Sequence, residues 1–199
     1  MLEEILLALH KMSSWEIAAA LMGVAYILLA AKESKWCWLF AFFSTLIYTV
    51  LFWDGQLPMQ ALLNFYYMGM ALYGFWLWRN RGSQTNAIMI SRWQWRQHSI
   101  FVVVGVMLSS MVGYYLQKNG HSQSPTLDAY TTVFSVLNTW LIAKKVLENW
   151  LYWVVIDAAA TVLYFQTGYY ATMLLFVLNT LMAITGYVAW VKVYKQQVH

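Results

Sequence analysis

Apolar residues run along the chain in seven blocks, at 14–31, 36–53, 58–78, 99–117, 126–143, 150–166 and 170–191, separated by short polar or charged patches. Each block is about 18 to 22 residues long, and a helix of that length rises ~30 Å, the thickness of a bilayer's hydrocarbon layer. The pattern predicts an all-α integral membrane protein with seven transmembrane helices. Only the flanks of the fourth block are long. RNRGSQTNAIMISRWQWRQH precedes it and KNGHSQSP follows it, both rich in the Gly, Ser, Asn and Gln of exposed loops. The blocks therefore divide as three, one and three.

Shifting the chain by 112 residues against itself brings Lys32 onto Lys144, Trp38 onto Trp150, Gly74 onto Gly186, Trp78 onto Trp190 and Glu16 onto Asp128, and Gly55 within one residue of Gly168. The matched pieces are blocks one to three and five to seven. Because the fourth block inverts the path, both triplets run in the same direction. The expected organisation is an extracytoplasmic amphipathic lead-in at 1–13, a first three-helix repeat at 14–79 and a basic cytoplasmic loop at 80–98. A linking helix at 99–117, an outer loop at 118–125, a second three-helix repeat at 126–191 and a cytoplasmic tail at 192–199 complete it. Parallel repeats related by an axis along the membrane normal place a substrate site near the midplane between them.

Charge sets the orientation. Lys32, Lys35, Arg79, Arg81, Arg92, Arg96, Lys144, Lys145, Lys192 and Lys195 fall on one side of the predicted membrane, and only Lys11 and Lys118 on the other. Cations are retained on the cytoplasmic side, which puts the N-terminus outside and the C-terminus inside a bacterial inner membrane. The lead-in MLEEILLALHKMS lacks the basic start and small-residue cleavage site of a secretory signal. The formal charge of +4 is scattered between apolar segments, which argues against a nucleic-acid surface. The composition, 61% hydrophobic and 10% charged, suits lipid and not water. The single cysteine, Cys37, allows no intrachain disulfide and reads as packed or lipid-facing filler. Twelve Trp and fourteen Tyr exceed what two interfacial belts need, so some belong in the interior.

The sharpest candidate chemistry lies in ENWLYWVVIDAAA, where Trp150, Trp153 and Asp157 follow at i, i+3 and i+7 and share one helical face. Asp157 sits ~10 Å into the span. A carboxylate at that depth costs about 2.5 to 3.5 kcal/mol to insert, so it faces the bundle interior and needs a partner. No Lys or Arg lies at matching depth in any block. The partner is a cationic substrate, water, or a proton on Asp157 itself; a neutral Asp157 bonded to a neighbouring helix is the structural alternative. The tryptophans offer π faces that attract a flat cation. Trp150 alone also reads as an interfacial anchor. Asn64, Asn138, Asn179 and Tyr48 are further candidate substrate ligands near mid-span, with Ser44 and Thr45 beside Tyr48, although helix–helix hydrogen bonding is the ordinary role of such amides. Glu16 and Asp128 stand where carboxylates complement helix N-termini.

An enzyme would need a nucleophile with its base, or metal-ligand spacing. Instead His10, His98, His121 and His199 all lie in loops or tails, and no phosphate-cradling Gly-rich loop is present. No catalytic residue, metal or cofactor is predicted.

These features resemble the Pnu-type bacterial vitamin transporters over essentially the whole chain. The resemblance rests on the three-one-three layout, on NFYYMGMALYGFWLW closing the first repeat, on KKVLENWLYW opening the sixth block and on TGYVAW closing the second repeat. It implies a build like that of the SWEET sugar facilitators, and facilitated diffusion by alternating access, made directional by phosphorylation of the vitamin inside the cell. In the family's nicotinamide riboside members the position of Asp157 holds an Asn that contacts substrate. An ionised Asp only accepts hydrogen bonds. Thiamine, with a thiazolium charge and a donor amine, is accordingly the preferred cargo, with nicotinamide riboside second and riboflavin third. Proton-coupled transport and a non-transporting membrane binder or structural subunit remain the rival readings. The predicted partners are the lipid bilayer and the small-molecule vitamin, with no nucleic acid and with room for a homo-oligomer.

Overall fold

The computed structural model describes residues 12–56, 58–79, 89–119 and 124–198, together with Glu3, Leu6, Leu7 and His10. Most of the lead-in, much of the loops at 80–98 and 118–125, and the charges of Lys11, Arg81, His121 and His199 lie outside the described residues. The described chain forms seven helices: α1 (Ser14–Ala31), α2 (Cys37–Asp54), α3 (Pro58–Trp78), α4 (Trp95–Asn119), α5 (Pro125–Ala143), α6 (Asn149–Gln166) and α7 (Tyr170–Val198). Four of them, α1, α2, α4 and α7, are long and apolar enough to cross a membrane by length and composition. The other three reach 18 to 21 residues but are diluted by Asn, Asp, Thr, Tyr and Trp.

Local chemistry explains the helix starts. Ser13 caps α1 by accepting from the Glu16 N–H at 3.2 Å, while the Glu16 carboxylate accepts from the Ser13 N–H at 2.6 Å. This capping box satisfies two otherwise orphaned donors. Pro125 opens α5, where its missing N–H is no loss, and Asp128 sits in the first turn. Two helices overrun the apolar blocks. α4 starts at Trp95 and α7 continues to Val198, because the polar residues WRQH and KVYKQQ keep helical hydrogen bonding beyond the stretch that lipid selects.

Features recur 112 residues apart. Glu33 and Lys145, in the turns after α1 and α5, both take positive φ, 51° and 54°, and so do Gln56 and Gly168, 57° and 79°, after α2 and α6. The near-match of Gly55 to Gly168 is thereby resolved: the left-handed residue closing each helix is Gln56 in one case and Gly168 in the other. Helix α2 packs on α1 and α3, and α6 packs on α5 and α7. The two groups meet through α1 with α7 and through α3 with α5, while α4 packs along α5 and touches α6 where His98 and Phe101 meet Tyr152. Its buried face is Phe101, Gly105, Ser109 and Gly113, one residue per turn, and such small residues let helices approach closely.

The core lies at the ends of the helices near residues 30 and 143. Trp38 meets Trp78 edge-on at 5.4 Å and 86°, Trp150 meets Trp190 in the same way at 5.5 Å and 86°, and Trp78 touches Trp190 at 6.1 Å. The Trp78 indole N–H donates to the Ala143 carbonyl at 2.9 Å and the Trp190 indole N–H to the Ala30 carbonyl at 3.0 Å, each bond crossing between the two groups. Beside them the Lys145 Nζ donates to the Glu33 Oε2 at 2.7 Å, both side chains almost fully buried, with the ammonium 4.8 Å from the Trp78 ring centre. A charge removed from water needs such a partner and polarisable surroundings. The segment before α4 is fastened to the same turn: the Ser91 N–H donates to the Lys145 carbonyl and the Leu147 N–H to the Ser91 carbonyl. The Arg92 Nε donates to the Glu148 Oε1 at 3.0 Å, and that carboxylate holds the guanidinium above its ordinary range.

Candidate functional site

Helix α6 sets its functional face by spacing alone. Trp150, Trp153 and Asp157 line one wall of a cavity of about 330 Å³, toward the small end of the range for small-molecule sites. Tyr48 and Thr45 of α2, Tyr67 of α3, Ser135 and Thr139 of α5, and Phe176 and Asn179 of α7 also border it. The lining is mostly apolar and aromatic. Asp157 is 5% exposed, and its carboxylate makes no hydrogen bond or ion pair with a described residue. No Lys or Arg borders the cavity among the described residues.

Trp150 is a floor element. Its ring is buried, lies against Gly186 and stands edge-on to Trp190, so among the described residues it is core and not an interfacial anchor. Trp153 is half-buried and borders the same cavity. The indole N–H groups of Trp150 and Trp38 are both buried without a hydrogen-bond partner among the described residues. Unpaired donors of this kind are rare, since each forfeits the free energy of a hydrogen bond.

Of the seven expected side chains, Trp150, Trp153, Asp157, Tyr48 and Asn179 border this one cavity. Asn64 borders a second, of about 560 Å³, and its Nδ2 donates to the Gln60 carbonyl one turn back at 2.9 Å. Asn138 borders neither. It is fully buried, and its Nδ2 donates to the Asn149 carbonyl at 2.9 Å, tying α5 to the start of α6. The structure adds Trp38, Tyr26 and Tyr67 to the lining. The 112-residue offset could have found two of them, since it carries Trp38 to Trp150 and Tyr67 to Asn179.

The two cavities share Ala20, Tyr48, Tyr67, Ser135, Leu175 and Phe176. The second is bordered also by Met12, Gln60, Asp128 and Thr172, at the N-terminal ends of α1, α3, α5 and α7. The opposite end is filled by the chain of four tryptophans, Trp38, Trp78, Trp190 and Trp150, and by the Glu33–Lys145 pair. The arrangement can seat one flat ring beside Trp153, set a positive charge against Asp157, and offer a carboxylate acceptor to amide or hydroxyl groups.

Residues 13–192 match the family model described as nicotinamide mononucleotide transporter. The nicotinamide riboside transporter PnuC of Escherichia coli is 24% identical over 204 residues, covering 89% of this chain and 85% of that protein. PnuC of Neisseria mucosa is 25% identical, covering 89% and 72%. The riboflavin/roseoflavin transporter RibM of Streptomyces davaonensis is 24% identical, covering 88% and 83%. A crystal structure of the vitamin B3 transporter PnuC superposes with a TM-score of 0.75 at 22% identity, covering 98% of this chain and 88% of that one, and so shares its fold.

Proposed function

The chain belongs to the nicotinamide mononucleotide transporter family, and from that membership we propose that this multi-pass membrane transporter carries a cationic aromatic vitamin, nicotinamide riboside foremost, across the bacterial inner membrane. The observation that carries the proposal is Asp157: a carboxylate with no cationic partner among the cavity's described lining, one helical turn from Trp153 on the same wall. A pyridinium supplies the missing charge and the flat ring together. Its carboxamide supplies a donor for the carboxylate. Thiamine, the cargo favoured by the acceptor-only Asp157 when the sequence is taken alone, stands second. The relatives described above are named for nicotinamide riboside and riboflavin, and a carboxylate answers the pyridinium as well as the thiazolium. Riboflavin is uncharged and leaves the buried carboxylate without a cation.

In this reading residues 14–79 and 126–191 are two parallel triplets joined by the 99–117 helix. All seven helices cross the membrane, with the N-terminus outside and the C-terminus in the cytoplasm. Left-handed turns and edge-on tryptophans paired at the 112-residue offset, with indole-to-carbonyl bonds whose donors pair at that offset and whose acceptors pair within one residue of it, support it. The 560 Å³ cavity is then the outer vestibule, and the vitamin moves from it to Trp153 and Asp157. Release inward requires the tryptophan chain and the Glu33–Lys145 pair to part as the triplets rock. Transport is facilitated diffusion, and phosphorylation of the vitamin in the cytoplasm holds it there.

A thermal-stability screen of the detergent-purified protein tests the cargo, because a ligand that binds only the folded state raises the melting temperature by mass action. Nicotinamide riboside is expected to give the largest shift, thiamine a smaller one and riboflavin none. A larger shift with thiamine would reverse the assignment.

A further inference from the structure

The cavity straddles the offset that relates the two triplets, and its walls are matched in position but not in chemistry. Trp38 and Trp150 form equivalent parts of the floor, and Gly23 and Ser135, and Tyr67 and Asn179, border it at equivalent places. The same offset carries Ala41 to Trp153 and Thr45 to Asp157, and all four of these residues border the cavity. Where α6 presents an indole and a carboxylate, α2 presents a methyl group and a hydroxyl.

From this difference we infer that the site is two unlike half-sites, the α6 wall holding the cationic ring and the α2 wall, opened by Ala41, holding the hydroxylated tail of the vitamin. The inference rests on the reading of the chain as a transporter of such a cation. Ala41 is much smaller than the indole that borders the cavity at the equivalent place, and a tail attached to the ring needs space next to it. The α2 wall is also suited to hydroxyl groups. The Thr45 hydroxyl donates to the Ala41 and Phe42 carbonyls at 2.8 and 3.1 Å, so its oxygen is left to accept. A sugar hydroxyl donates to such an acceptor. Ala41 is therefore a specificity-determining residue: it sets how large a tail the carrier accepts, while Trp153 and Asp157 set the charge and flatness of the ring.

Substituting Ala41→Trp copies the α6 wall onto α2 and tests this directly. Nicotinamide riboside and N-methylnicotinamide, which keeps the pyridinium but has no sugar, are titrated calorimetrically into wild type and A41W in detergent. A41W is expected to weaken the riboside at least tenfold and the methylated base less than threefold. Riboside affinity retained within threefold, or equal losses for both ligands, overturns the inference. If wild type binds the riboside but not the methylated base, the riboside alone decides by the same threshold. Wild type that binds neither cation defeats the transporter's proposed cargo instead. Should A41W unfold, as judged by its melting temperature, Ala41→Leu takes its place with a threefold loss expected for the riboside alone, and no loss overturns the inference.

Discussion

Asp157 has the most to say per atom. A carboxylate buried in a cavity without a countercharge lowers the stability of the empty protein, and the deficit is recovered when a cation arrives. Stability and binding therefore move in opposite directions on neutralisation. Asp157→Ala, which removes the charge together with the hydrogen-bonding group that an Asn would keep, is expected to weaken binding of nicotinamide riboside at least tenfold, about 1.4 kcal/mol, while leaving the melting temperature unchanged or higher. Calorimetry beside thermal unfolding checks both halves, and a melting temperature that falls with unchanged affinity would mark Asp157 as structural. This residue was legible in the sequence because helical spacing fixes which side chains share a face, and α6 places Trp150, Trp153 and Asp157 on the cavity as that spacing requires. Asn138 was not legible in the same way. An amide in an apolar run reads alike whether it meets a ligand or the open carbonyl of Asn149, and here it meets the carbonyl.

At the level of elements, helix positions follow from the apolar blocks, and the departures are at the ends of α4 and α7, where helix outlasts hydropathy. What hydropathy does not reveal is how closely the helices approach. A Cβ added at Gly74 would lie 2.3 Å from the Trp38 ring, and one at Gly186 would lie 2.6 Å from the Trp150 ring. Both rings are buried and braced by edge-on contacts, so neither moves freely. Alanine normally favours a helix over glycine by about 1 kcal/mol. Here overpacking, at ~1 to 3 kcal/mol, outweighs that gain. Gly186→Ala is expected to lower the melting temperature and to weaken vitamin binding, because Trp150 is pushed toward the cavity it floors. Gly186→Ala with the stability of wild type in a detergent melt would show that α6 and α7 are looser than their geometry indicates.

Over the whole molecule, the 112-residue offset legible in a handful of identities extends to backbone conformation and ring packing, which no residue-by-residue comparison could disclose. Gln56 and Gly168 differ in type yet share a left-handed turn. Glu33 and Lys145 occupy equivalent turns with opposite charges and meet across the molecule. In the sequence Lys145 counts only as one more cation of a loop, since nothing in its neighbours reveals that the chain returns to bury it against Glu33. In the proposed reading, two matched groups of helices, closed at one end by tryptophans and an ion pair and hollow toward the other, make an alternating carrier whose cargo exchanges at Asp157 without a gradient. Counterflow tests this most directly. Proteoliposomes loaded with unlabelled nicotinamide riboside, at equal pH and ion composition on both sides, are diluted into a trace of labelled riboside. The account predicts transient accumulation of label that excess external riboside abolishes. Absence of counterflow from protein that binds the riboside, or counterflow only when a proton gradient is imposed, would contradict it.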